Sequence, residues 1–125
     1  MQVRKRFSFE AAHVLPHHPG KCGRVHGHTY RLDVVVEGAL QTDGASTGMV
    51  IDFDEIGEVV EREVLAHLDH RSLNDVLENP TSELIAVWIW ERLAPALSGL
   101  AEVTLWETAT ACAVVRAGDA ARKSA

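Results

Sequence analysis

Apolar and polar residues alternate at the start of the chain, with Val3, Phe7, Phe9, Ala11 and His13 sharing one parity. A period of two puts them on one face of a β-strand, predicted over residues 1–13. Pro16, Pro19, Gly20 and Gly23 then mark a loop over 14–24. Alternation resumes over 26–36, where His26, His28, Tyr30, Leu32, Val34 and Val36 fall on one face and Val35 on the other. A second loop covers 38–48.

The period then changes. Ile56, Val59, Val60 and Val64 recur at helical intervals and predict a helix over 54–68, weakened by Gly57 by about 1 kcal/mol relative to alanine. A connection over 69–80 leads to a stronger helix over 81–97, striped by Leu84, Ile85, Trp88, Ile89 and Leu93. Thr81 is positioned to cap it after Pro80, and Glu83 in its first turn suits the helix dipole. Two more strands are predicted over 101–107 and 112–116, and the small, polar residues 117–125 read as a frayed tail. The ββααββ order, without repeats or linkers, predicts an α+β domain spanning 1–125, with an antiparallel sheet carrying two helices on one face. Such a small sheet has two free edges, which favour association with further copies.

At 125 residues and 46% apolar content, the chain can bury a core without disulfide or metal staples. Twelve basic residues against eighteen acidic ones, the basic ones scattered, argue against nucleic acid or an anionic membrane as partner. A small anionic ligand remains compatible. Two cysteines without framework spacing, no signal-peptide pattern and no apolar stretch near membrane length predict a reduced, cytoplasmic protein.

Chemistry concentrates in Cys22-Gly-Arg-Val-His26-Gly-His28. Strand residues at i and i+2 share a face about 6.6 Å apart, so His26 and His28 can converge on one cation. An in-phase His13 across a hairpin supplies a third nitrogen, a donor set suited to zinc with one position left open. Cys22 reads equally as a fourth ligand, an idle thiol, or a base beside the metal, with Lys21 and Arg24 flanking it. Cys112, among Ala111, Ala113 and Val114, reads as core. His70 after Asp69 reads as a dipole partner at a helix end or as a proton carrier oriented by a carboxylate. His17 and His18 are loop residues without a stronger assignment. Glu83 and Glu107 are a helix-start acid and a rim residue by default. Either can instead accept two parallel hydrogen bonds from a ring with an amino group beside an N–H.

Several motifs occur together in order: Phe9-Glu10-Ala11-Ala12-His13, the Cys22-to-His28 segment, Asp52-Phe53, Leu68-Asp69-His70, Leu73-Asn74-Asp75, Glu78-Asn79-Pro80-Thr81-Ser82-Glu83 and Glu107-Thr108. In this the chain resembles the 6-pyruvoyl-tetrahydropterin synthase family over about residues 7–115. The three residues between Cys22 and His26 look like its bacterial carboxy branch, which serves queuosine biosynthesis. The resemblance implies a T-fold (tunnelling fold), with a four-stranded antiparallel sheet, two helices, and hexamers built from two trimers with active sites between subunits. It also implies zinc held by His13, His26 and His28, a catalytic Cys22, and Asp69 and His70 supplied to it by an adjacent subunit. Glu83, beside Thr81 and Ser82, would anchor the pterin, and Glu107 would join the proton relay or share the anchor. Arg24 and Lys21 would meet a triphosphate.

The implied reaction turns 7,8-dihydroneopterin triphosphate into 6-carboxy-5,6,7,8-tetrahydropterin, releasing acetaldehyde and triphosphate. A pyruvoyl-type synthase, a zinc-dependent cleavage of an unrelated diol and a non-catalytic zinc-binding T-fold subunit stay open as alternatives. The chain departs from the family after Glu107-Thr108, where a tyrosine is common and Ala109-Thr110-Ala111-Cys112-Ala113 stands instead.

Overall fold

The computed structural model describes residues 1–119. Its frame is a hairpin of two twelve-residue strands, β1 (Gln2–His13) and β2 (His26–Glu37), paired antiparallel from Gln2 opposite Glu37 to His13 opposite His26. After β2 come α1 (Phe53–Val60), a turn of π-helix (Glu61–Leu65) and α2 (Ala66–Leu68). The two-residue β3 (Arg71–Ser72), α3 (Ser82–Leu93), β4 (Leu100–Trp106) and β5 (Cys112–Arg116) complete the chain. The sheet runs β3-β1-β2-β4-β5. From residue 120 onward, the tail expected over 117–125 lies outside the described residues.

This corrects the expected four-stranded antiparallel sheet to five strands, because β3 pairs parallel to β1 at Ala11 and Ala12. The pairing satisfies part of β1's open edge. His70 N–H donates to the Glu10 carbonyl at 2.6 Å, and the Glu10 N–H donates to Asp69 Oδ1 at 2.9 Å. Two residues are too few to carry a period-two signal, so the sequence pattern shows only a connection there.

The helices follow their caps. Asp52 accepts from the Asp54 N–H at 2.8 Å and starts α1, while Thr81 Oγ1 accepts from the Leu84 N–H at 3.2 Å and starts α3. The expected 54–68 helix is interrupted by the π-turn, in which the Ala66 N–H reaches back five residues to the Glu61 carbonyl. The α3 helix ends at Leu93 rather than at 97: Ala94 still donates to the Trp90 carbonyl, but Pro95 has no N–H with which to continue the ladder. Leu97 still packs into the core.

The core lies between the helices and one sheet face, formed by Phe9, Tyr30, Leu32, Val34, Val103 and Leu105. Phe9 and Tyr30 stack with ring centroids 5.0 Å apart. One broad side of α3 is covered, with Ile85, Ala86, Val87, Ile89, Trp90 and Leu93 buried, while Glu83 and Glu91 are exposed. Removing most of one fully buried side chain, as in Leu32→Ala, is expected to cost about 2–5 kcal/mol. A lowered urea midpoint would register it.

The opposite sheet face is polar. Arg6 there grips the buried Asp33 through two hydrogen bonds of 2.7 and 3.0 Å, which hold the carboxyl below the usual carboxylate range. Cys112 belongs to this face. It is exposed, correcting its expected place in the core: it pairs with Trp106, while Ala113 and Val115 point towards the helices. Among the described residues no helix is long and apolar enough to cross a membrane.

Candidate metal centre and active site

The hairpin register brings the three histidines together. His13 ends β1 directly opposite His26, and His28 sits opposite Ala11, all on the face that carries the helices. Their ring centroids are 4.5, 4.9 and 5.1 Å apart. His13 is buried, and His26 and His28 are half-buried.

Backbone carbonyls determine which nitrogens face the centre. His13 Nδ1 lies 2.8 Å from the Pro80 carbonyl oxygen, and His26 Nδ1 lies 2.8 Å from that of Arg24. A carbonyl only accepts, so each Nδ1 carries the proton and each neutral ring keeps a bare lone pair on Nε2. These two Nε2 atoms stand 2.9 Å apart. Two lone pairs at that separation repel unless a cation or proton lies with them. His28 Nε2 is the third nitrogen at the centre, buried without a well-aligned hydrogen-bond partner. Burial and the neighbouring imidazoles His13 and His26 lower the His28 pKa, against the opposing pull of Glu107, which favours the neutral form that binds metals.

Glu107 completes the group. By default a rim residue, it turns inward: Oε1 lies 2.9 Å from His28 Nε2 and 3.4 Å from His13 Nε2. Its other oxygen accepts a short hydrogen bond from Ser82 Oγ at the start of α3. Ligand atoms of His13, His26, His28 and Glu107 all fall within 4.8 Å of one another, a donor set that fits a divalent ion. Tyr30 lies behind it, with its hydroxyl 3.5 Å from His13 Nδ1. Burial, with the Glu107 charge, raises its phenol pKa and keeps it protonated.

Cys22 stands outside this group, half-buried in a tight turn (Lys21–Gly23). Its carbonyl accepts from the Leu15 N–H at 3.0 Å. A side chain at Gly23 would bring a Cβ within 2.6 Å of the His18 carbonyl oxygen, so the turn requires glycine there.

His70 Nδ1 lies 2.9 Å from Asp69 Oδ1, and its side chain is 77% exposed. Its backbone is left-handed (φ 59°), a conformation that strains a non-glycine residue. His70 and His28 border one open cavity of about 450 Å3. Within the chain no hydrogen bond among the described residues joins Cys22 to this pair.

Glu83 is exposed in the first turn of α3, Thr81 is occupied as its cap, and the Arg24 and Lys21 side chains face solvent. His17 and His18 are exposed, and His18 Nδ1 accepts from the Gly20 N–H at 3.0 Å. Sequence reasoning missed the Pro80 and Arg24 carbonyls and the Ser82–Glu107 pair. The carbonyls leave no signature in side-chain identity, and the pair joins residues 25 apart.

Residues 2–118 match the family model described as 6-pyruvoyl tetrahydropterin synthase. The chain belongs to the 6-pyruvoyl tetrahydropterin synthase family. Within that family, it is 50% identical over 115 residues to a protein of Synechocystis sp. named 6-carboxy-5,6,7,8-tetrahydropterin synthase, covering 89% of each chain. It is 43% identical over 105 residues to a Pyrococcus furiosus protein named dihydroneopterin monophosphate aldolase, covering 82% of this chain and 85% of that one. Its fold matches the 6-pyruvoyl tetrahydropterin synthase of Caenorhabditis elegans with a TM-score of 0.83 at 28% identity, covering 94% of this chain and 96% of that one. The T-fold expected from the sequence is thus the fold of this 6-pyruvoyl tetrahydropterin synthase family member, with the added short strand β3.

Proposed function

We propose that this protein is a zinc-dependent 6-carboxy-5,6,7,8-tetrahydropterin synthase, a carbon–carbon lyase of queuosine biosynthesis. Its substrates are 7,8-dihydroneopterin triphosphate and one water, and its products are the carboxypterin, acetaldehyde and triphosphate. The observation that carries the reading is the convergence of three imidazole nitrogens on one point, with Cys22 not among the converging ligand atoms. The 50% identity to the Synechocystis carboxy enzyme supports the choice of product.

His13, His26 and His28 hold the ion. Bound there, zinc supplies Lewis acidity towards the hydroxyl groups of the substrate side chain. Cys22, as thiolate, removes a proton from side-chain carbon, and His70, oriented by Asp69, carries protons to and from it. Glu107 shares this relay, a role supported by its contacts with His28 and Ser82. The exposed Glu83 takes the amino and N–H edge of the pterin through two parallel hydrogen bonds, with Thr81 and Ser82 beside it. Arg24, with Lys21, meets the triphosphate. Asp69 and His70 come from an adjacent subunit of a hexamer, consistent with the exposure of the His70 ring. The cytoplasm is the expected compartment.

The likeness to the Caenorhabditis elegans protein keeps one other reading open, a pyruvoyl-type synthase that eliminates triphosphate and retains the side-chain carbons. Anaerobic incubation of zinc-loaded protein with dihydroneopterin triphosphate, followed by mass analysis of the pterin, separates them. The carboxypterin with equimolar acetaldehyde is the expected result. A pyruvoyl product without acetaldehyde would establish the other synthase, and absence of turnover with zinc bound would leave a non-catalytic metal-binding subunit.

A further inference from the structure

Beyond the histidines, one side chain grips the backbone beside the metal centre. Asn74 Oδ1 accepts from the Val14 N–H at 2.8 Å, and Asn74 Nδ2 donates to the Val14 carbonyl at 2.9 Å. A single amide thus pairs with both polar groups of one residue, as a neighbouring strand would. The same Nδ2 reaches the Glu78 carbonyl at 3.4 Å, on the segment leading to Pro80.

Val14 joins two functional pieces. His13 immediately precedes it. Leu15 immediately follows, and its N–H is held by the carbonyl of Cys22 at 3.0 Å, while its own carbonyl accepts from the His18 N–H at 3.0 Å. Residues 14–25 have no strand partner, so the clamp on Val14 is where this loop leaves the sheet. Asn74 itself lies in the short turn (Leu73–Asp75) that follows Asp69, His70 and β3.

We propose that Asn74 is a positioning residue for Cys22: it fixes the exit of the loop from β1 and so the placement of the thiol relative to the metal centre. The inference rests on the proposed role of Cys22. Asn74 touches neither the ion's ligand atoms nor the cavity beside His28. His13 and His26 sit opposite each other in the β1–β2 hairpin, a pairing in which Asn74 takes no part. Loss of the clamp therefore loosens the loop, while the strand pairing still holds the histidines together.

Asn74→Ala, in a Cys112→Ser background so that Cys22 is the one thiol, provides the test. The expected variant retains a full equivalent of zinc and a KM close to the parent's, while kcat falls about tenfold or more, as misplacement of a reacting group does. Alkylation of Cys22 by iodoacetamide should accelerate severalfold in the zinc-loaded protein. Asn74→Asp keeps the acceptor for the Val14 N–H but sets a carboxylate against the Val14 carbonyl, and should fall between. Unchanged kcat and alkylation in the alanine variant would overturn the proposal. So would loss of zinc in step with activity in both variants, since that is disruption of the centre itself. Absence of turnover by the parent would instead count against the assigned reaction, and alkylation and zinc content would still decide the role of Asn74.

Discussion

Replacing His28 with alanine is expected to empty the metal centre and abolish turnover together. The ring supplies one of three converging nitrogens, and the remaining pair, even with Glu107 beside it, cannot hold a divalent ion with comparable strength. Affinity should fall by more than the roughly 10–100-fold that follows loss of an outer partner of a metal ligand. Chelator competition on the purified variant measures this directly. The metal-free protein should hardly respond. With no ion bound, His28 Nε2 is a desolvated atom lacking an aligned partner, so its removal should leave thermal stability nearly unchanged. Zinc should raise the melting temperature of the parent and have no effect on the variant. A variant that binds a full equivalent with parental affinity would sink the three-nitrogen centre.

Cys22→Ala is expected to do the reverse: keep the zinc and lose the reaction. The thiol lies outside the group of converging ligand atoms, so metal content and chelator resistance should match the parent. Loss of a positioned proton-transfer group commonly costs about 10²–10⁴ in rate, and a deficit of that size is expected in carboxypterin formation. Zinc loss from this variant would make Cys22 a ligand. Parental turnover would assign proton removal to another group.

The two results separate what the residue pattern can and cannot reveal. Strand parity alone placed His13, His26 and His28 on one face, because period two fixes sidedness and an antiparallel hairpin fixes proximity. The burial of Tyr30, Leu32 and Val34 follows from the same alternation. Parity failed for Cys112, where a five-residue strand rich in small side chains gives no contrast between its faces. Helical period located both helical regions but missed the π-turn, since Val60, Val64 and Leu68 recur every four residues on either geometry. Contacts that orient the site stayed hidden for a different reason. The bond from His13 to the Pro80 carbonyl spans 67 residues, and the Asn74 clamp on Val14 spans 60. Such contacts depend on how α3 and the preceding turn dock on the hairpin, which no local window records.

The left-handed backbone at His70 carries a final consequence. Glycine, or to a lesser degree asparagine, suits that conformation better than a ring-bearing side chain. Neither can exchange a proton near neutral pH. Substitutions selected only for thermal robustness should therefore converge on this position and erase the reaction. With His70 in its proposed role as proton carrier, durability and chemistry compete there for one residue.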